Sequence, residues 1–494
     1  MNHDNLPRTH TTPIGKLSPR TLETSAWWRS PTTTTMSGYV YDLPTTGALS
    51  LSELCTDITG SHAANLARAT EARANVRAIL KASRRTDAGE RDYLKVVKAL
   101  DEYLPFVNAI IASVAADDLT LAQEPGKSLF SWRSTLSHST LSDPPRINIH
   151  GLHSELAFVL YSNAYALSNL SAASVASLGS YERDRALPDA DRRAKDEKLS
   201  FAVKLLCRAA GTFTYIAQVV IPELGKGLGG PRPPELREDV ANALAKLALA
   251  DAHALSVRKL LTRSAVEAAL SPGPPLPQGH PAPALVAKIH LHTASLFASA
   301  RGLTDTSQRK LSLLKSRGGA DNAEVSQDIR RYLEEESALN EALAHKWLGV
   351  DAGEADRTGD AIGYLRWAKS ELESLKEGAL SKLKKSGGDG KMKKERSAEE
   401  IDSVGMFLKN YLRTNDSVHF QPVPTSSSLQ ATIPAGMSVV TEKIYEAPMP
   451  AFGPGTPDYV ARHVQKLDLD DSNTPPEPEP KEDDRDYGLK GSYF

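Results

Sequence analysis

Leu156-Ala157-Phe158-Val159-Leu160-Tyr161-Ser162-Asn163-Ala164-Tyr165-Ala166-Leu167-Ser168 is the stretch on which the fold class turns. Its apolar residues recur at helical spacing, which predicts a helix over Leu156 to Leu170 with Leu160 and Leu167 in the core. The same period appears upstream from Tyr93 to Leu104 and downstream from Leu199 to Leu224 and Glu235 to Leu261. Further helices are expected at about 283–300, 306–316, 323–348, 359–385 and 398–412, divided by breakers such as Gly225 to Pro234 and Pro272 to Pro283. Strand signals are scarce. Arg146-Ile147-Asn148-Ile149 alternates briefly, Val418-His419-Phe420 precedes Pro422, and a small sheet pairing the two is expected.

Helices that follow one another without alternating strands favour an all-α, elongated, curved (TPR-like) solenoid with a small β-hairpin or short sheet, although no clean 34-residue repeat is present. Outside the helices the composition changes. Residues 1–43 are rich in Thr, Ser and Pro and hold only the isolated pair Trp27 and Trp28, so they read as a disordered extension. The helical domain is expected over 44–460, ending in an extended C-terminal arm from Phe420 to Pro457. That arm carries Ile433, Val439, Val440, Ile444 and Tyr445, too apolar for a solvated linker, and is expected to pack along the body. Residues 461–494 read as a disordered acidic tail: Asp468 to Asp486 holds nine acids, two bases and four prolines, leaving too little apolar surface to offset chain entropy.

The 494 residues are 40% hydrophobic, 24% charged and 6% aromatic, ample for a sizeable core. Lys plus Arg number 59 against 61 for Asp plus Glu, so the formal charge of -2 gives no bulk attraction to nucleic acid or an anionic membrane. No apolar run is long enough to span a bilayer, and the opening residues lack the apolar centre of a secretory signal; a cytoplasmic chain is expected. Cys55 and Cys207 alone assemble neither a disulfide framework nor a zinc set, and read as reduced, partly buried thiols.

Catalytic signatures are missing. Leu121 to Ser128 has Leu where a phosphate loop needs its first Gly, and Gly225 to Gly230 follows a helix rather than a strand, so it reads as a connector. His290 and His292, two apart, lie on different faces of a helix, cannot chelate as an i, i+4 pair, and read as surface histidines. No cofactor or metal is expected, and the chain reads as a non-enzyme. Lys376 to Arg396 carries eight bases against three acids around Ser386 to Gly390, which should break the helix and put the charges on a loop. Lys384, Lys385, Lys391, Lys393 and Lys394 are the candidates for contact with a membrane or an acidic partner. Little aromatic interleaving argues against nucleic acid.

Four stretches in a fixed order resemble the Bro-type domain family, to which Alix belongs. Leu156 to Ser168, with Glu155 near the family's acidic position, is similar to the family helix E-x-x-x-V-L-F/Y-N-x-A-A-L-x-S. Ala209-Ala210-Gly211-Thr212-Phe213-Thr214-Tyr215-Ile216 resembles its A-x-G-x-F-x-x-I/L segment. Gly359 to Ala368 fits G-x-x-I-x-x-L-x-x-A, and Asn415 to Pro424 is similar to N-D-x-I/V-Y-x-x-x-V-P. Each motif alone is a plausible amphipathic helix or turn; their order across residues 45 to 460 carries the resemblance. Leu43 to Ser50 and Tyr487 to Phe494 look like the PalC-type, fungal pH-response branch.

The resemblance implies a curved helical solenoid that acts as a scaffold in ambient-pH signalling. It implies docking of the C-terminal amphipathic helix of the Snf-type ESCRT-III subunit, with the pH-signalling protease machinery recruited indirectly to plasma-membrane or endosomal sites. On Leu199 to Leu224, two stripes compete for the inside of the fold. Ala209, Phe213, Ile216, Val220 and Leu224 form one; Phe201, Leu205, Thr212, Tyr215 and Val219 form the other. Phe213, Val220 and Leu224, in the segment that carries the family's contact, are the expected groove residues. The alternative is a general α-solenoid peptide-binding adaptor whose resemblance ends at the fold.

Overall fold

The computed structural model describes residues 38–121, 130–137, 144–224, 232–315, 324–382 and 388–462. Among them are nine long helices: α1 (Ala63–Arg85), α2 (Tyr93–Ala115), α3 (Leu152–Ala176), α4 (Asp189–Tyr215), α5 (Glu238–Leu261), α6 (Pro283–Lys315), α7 (Gln327–Glu354), α8 (Thr358–Lys382) and α9 (Gly388–Thr414). From α1 to α5 each packs on the next, the order then continues through α6 to α9, and the fold is predominantly helical and elongated. Three expected boundaries move, the first at α4, which begins at Asp189, ten residues before its expected start at Leu199. The segments expected at 283–300 and 306–316 are one helix, and α9 begins ten residues before its expected start at 398.

Two small antiparallel sheets brace the first helices. β1 (Cys55–Asp57) pairs with β2 (Leu119–Leu121), and β3 (Phe130–Arg133) pairs with β4 (Arg146–Ile149) so that Trp132 faces Ile147. The expected partner of β4, Val418 to Phe420, is not a strand. Asn415–His419 continues α9 as a single π-turn, and Phe420 follows in the left-handed region at φ 51°. Asn415 fixes that turn: its side-chain oxygen accepts from Gln421 N–H at 3.0 Å and Thr358 Oγ1 at 2.7 Å. A side-chain clamp thus replaces the ladder that the alternation suggested.

α3 is the axis of the core. Phe158, Val159, Leu160, Tyr161 and Leu167 are all buried, because β3, α2, α4 and the N-terminal segment surround it. One charge is taken inside with it. Glu155 accepts from Arg73 Nε at 2.9 Å, Trp132 Nε1 at 2.6 Å and Tyr103 Oη at 3.3 Å, while Arg73 also donates to Gly47 O at 2.9 Å and Thr46 Oγ1 at 2.7 Å. A buried carboxylate persists only with such a complete donor set.

Packed chain is present ahead of residue 44. Tyr41 and Leu43, expected in the extension, are buried; Tyr41 stacks on Tyr165 at 4.5 Å, and its backbone exchanges hydrogen bonds with the Asn169 side chain. The alternation of Tyr39, Tyr41 and Leu43 supplies the anchoring side chains. Most of the expected extension and tail, residues 1–37 and 463–494, lies outside the described residues.

Candidate functional site

α4 runs between α3 and α5 and can offer only its remaining side. Phe213 is fully buried, with ring centres 5.9 Å from both Tyr161 and Tyr165, and Val220 and Leu224 are buried as well. The expectation that these three line an open groove is therefore corrected. Their stripe faces the neighbouring helices, and a π-turn at Ile216–Val220 keeps Val220 inward past the end of α4. The competing stripe divides: Leu205 and Thr212 are buried, whereas Phe201, Tyr215 and Val219 face outward. Phe201 is 49% exposed and Val219 45%, with Tyr215 half-buried between them and Lys204 and Arg208 exposed alongside. Positions 201, 208, 215 and 219 lie on one face over about five turns.

Beside this ridge runs the arm. After a clamp of Tyr364 Oη on Leu429 O (3.2 Å), Met437 N–H donates to Lys288 O on α6 at 2.9 Å. Val439 N–H then meets His253 Nε2 on α5 at 3.3 Å, and Lys443 N–H donates to Cys207 O on α4 at 2.9 Å. Thr214 donates to Glu442, Tyr445 packs on Tyr215 with ring centres 4.8 Å apart, Asn108 donates to Pro448 O, and Phe452 is buried against His62.

Among the glycines that admit the arm, two mark its crossing of the helices. A Cβ on Gly211 would sit 1.7 Å from Lys443 O, and one on Gly436 would sit 2.7 Å from His292 N. The glycine of the Ala-x-Gly-x-Phe segment therefore serves the arm crossing over it, a role its sequence context does not reveal.

Between α2, α3, α4 and the arm lies a cavity of about 320 Å³, lined by Asp101, Asn163, Arg208, Thr212, Lys443 and Ile444, among others. Burial raises the Asp101 carboxyl, opposed by the hydrogen bond from Asn163 (2.9 Å) and the charge of Arg208. Elsewhere, Glu341, His345 and Glu371 offer ligand atoms within 4.8 Å of one another. Within that cluster His345 Nδ1 and Glu371 Oε2 form an ordinary hydrogen bond at 2.8 Å, while the buried His345 Nε2 has no hydrogen-bond partner among the described residues.

His290 is not on the surface. It is buried with Nδ1 2.9 Å from Asn340 Oδ1, and burial pushes its pKa down to about 4. Lys384 and Lys385 lie outside the described residues, as do Ala122 to Ser128 and Gly225 to Gly230. Lys391, Lys393 and Lys394 stand on the α9 backbone instead of the expected loop. Gly388 and Gly390 occupy the first turn, where amides lack intrahelical partners and the interior penalty of glycine does not apply in full. Among the described residues, no helix is long and apolar enough to cross a membrane.

The family model for the BRO1-like domain matches residues 57–454, from β1 through the end of the arm. The chain belongs to the BRO1-like domain family. Its similarity to pH-response regulator protein palC of Cryptococcus neoformans is 32% identity, covering 93% of this chain and all of that one. The palC protein of Emericella nidulans is 27% identical over 85% of this chain and 90% of its own length. Two solved structures share the fold. The ALIX BRO1 CHMP4C complex matches with a TM-score of 0.54 and 15% identity over 84% of this chain and 97% of that chain. ALIX in complex with the SIVmac239 PYKEVTEDL late domain matches with 0.57 and 16% over 88% and 53%. The BRO1-like assignment makes this a non-catalytic scaffold close to fungal palC.

Proposed function

We propose that this BRO1-like chain is an adaptor of the ambient-pH signalling pathway, a TPR-like solenoid that docks the C-terminal amphipathic helix of the Snf-type ESCRT-III subunit. By doing so it gathers signalling components, including the protease machinery indirectly, at ESCRT-III sites on plasma or endosomal membranes, reaching them from the cytoplasm. Similarity to palC proteins over nearly the whole chain supports the pathway, and the shared fold with a BRO1 domain seen in complex with CHMP4C supports the mode. Lys384, Lys385, Lys391, Lys393 and Lys394 are the candidates for contact with the anionic leaflet.

The observation that carries the site is the outward stripe of α4. Phe201, Tyr215 and Val219 supply apolar anchors at helical spacing, and Lys204 and Arg208 flank them with positive charge. Such a ridge suits the apolar face of an amphipathic helix with acidic flanks. The test is titration of the full chain with a labelled peptide of that ESCRT-III tail, beside Val219→Asp and Phe201→Asp. We expect saturable binding, weakened at least tenfold by either charge, with circular dichroism unchanged. Binding that ignores both variants moves the helix off α4. No binding by the parent chain overturns the ESCRT-III reading and leaves a general peptide-binding adaptor.

A further inference from the structure

Between Met437 and Lys443 the arm crosses from α6 over α5 to α4. The six steps between them cover two helix-to-helix separations of roughly 8–10 Å each, which calls for backbone extended at about 3.3 Å per residue. The hydrogen bonds keep the parity of a β-strand. The amides of Met437, Val439 and Lys443 point into the body, and the Lys443 carbonyl points the same way, onto Gly211. In extended backbone the intervening amides face the opposite side. Those of Ser438, Val440, Glu442 and Ile444 have no hydrogen-bond partner among the described residues.

The composition agrees. Val439, Val440, Thr441 and Ile444 are β-branched, and Pro434 and Pro448 bound the stretch. Ile444 is 80% exposed and Val439 38%. An extended segment with one side bonded to helices and the other facing water, where the Val440 carbonyl is engaged by Ser438 Oγ at 3.0 Å, is a largely unpaired edge, the feature that extended peptides recognise through main-chain bonds.

We propose that Ser438 to Ile444 captures an extended peptide of a partner protein by strand addition. Adjacent Glu442 and Lys443 point to opposite faces of the strand and set the partner's chemistry: β-branched residues around a neighbouring base and acid, the base opposite Glu442 and the acid opposite Lys443. A second copy paired antiparallel about Glu442 or Lys443 would set like charges against each other, which favours the complementary peptide. The capture uses backbone, independently of helix docking on α4.

The probe is a fluorescent nine-residue peptide of alternating Val and Thr around a central Lys-Asp pair, with blocked termini. It is tested with N-methyl groups on one alternate set of amides or on the other, against the full chain. We expect the unmodified peptide to bind, one methylated set to bind equally, and the other to lose about fivefold for each bond removed. Ile444→Pro, which deletes an outward amide and leaves the body-side bonds, should lose binding; Ile444→Ala should keep most of it, with both variants melting like the parent. Equal loss from both methylated sets, full binding by Ile444→Pro, or no binding by the parent chain overturns the proposal. Concentration-dependent dimerisation abolished by Ile444→Pro would overturn the partner peptide in favour of a second copy.

Discussion

α3 and the arm from Phe420 to Pro457 are both rich in apolar residues, yet one is enclosed on every side and the other lies on the surface. α3 satisfies its own backbone, so its place is decided by side chains, and Phe158, Leu160 and Tyr161 draw neighbours around every side. The arm satisfies part of its backbone on the carbonyls of Lys288, Cys207 and Pro105, and anchors few side chains deeply. Enclosure by side chains gives a rigid body, whereas attachment through scattered backbone bonds gives a strap that can be altered without unfolding what lies beneath it.

The largest effect should come from the enclosed region. Glu155→Ala leaves the Arg73 guanidinium, the Trp132 ring N–H and the Tyr103 hydroxyl facing an empty acceptor position in the core. Loss of one partner of a buried ion pair costs about 3–5 kcal/mol. Urea unfolding should show a shift of that size, and a loss below about 1 kcal/mol would mean that solvent reaches the site and that α3 is less enclosed than its burial indicates.

A second extended segment, Gly38 to Leu43, tests whether burial rather than extension makes the difference. Its Tyr39 N–H donates to buried Asp251 at 3.0 Å, and Tyr332 Oη donates to the same carboxyl at 2.7 Å. Burial raises the Asp251 pKa to about 7 despite these two bonds; Glu336 adds to the rise and Arg396 opposes it. The folded carboxyl thus holds a proton that the unfolded chain releases near pH 4, so stability should fall as pH rises from about 4 to 7. The contribution is on the order of a few kcal/mol. Asp251→Asn should flatten this slope in a pH series of unfolding curves. An unchanged slope would assign the dependence to other groups.

The arm should respond on a smaller scale and with an informative sign. On a bare helix Gly211→Ala would stabilise by about 1 kcal/mol through helix propensity. Here the added Cβ collides with Lys443 O, so the crossing must lift and lose the bond to Cys207 O. A net loss of about 1–2 kcal/mol is expected, with faster hydrogen exchange over 436–446 and unchanged exchange in α3. A stabilised Gly211→Ala variant would show that the arm does not rest on α4.

The same contrast explains what the sequence discloses. Leu156 to Leu170 predicts α3 to within a few residues because an internally bonded helix writes its environment into its own period. The choice between the two α4 stripes was not decidable that way. Phe213 and Phe201 are equally apolar, and only the packing of α3 and α5 makes the first core and the second surface. Tyr41 was hidden by its Thr-rich surroundings, and Gly211 looked like an ordinary small residue because its function depends on a carbonyl 232 positions away. Similarly, β4 found Phe130 to Arg133 rather than Val418 to Phe420, since pairing depends on where the chain returns, not on alternation alone.

The smallest expected effect lies where enclosed body gives way to strap. Phe420 takes φ 51° and ψ 32°, a left-handed conformation that costs a residue with a side chain about 1–2 kcal/mol relative to right-handed backbone. Its ring recovers little of that, being 74% exposed, so the conformation is imposed by the backbone around it. Phe420 N–H donates to Asn415 O, the Asn415 side chain grips both the N–H and the C=O of Gln421, and the Gln421 side chain bridges Gly359 N–H and Asp356 O. Glycine adopts this conformation without the Cβ penalty but gives the unfolded chain more freedom, and the two effects partly cancel. Phe420→Gly should therefore raise stability by about 0.5–1 kcal/mol, read from urea midpoints at constant slope. A destabilised variant would mean that the exposed ring holds the turn and that the strap begins with a side-chain anchor, which would move the border between the two regions from Asn415 to beyond Phe420.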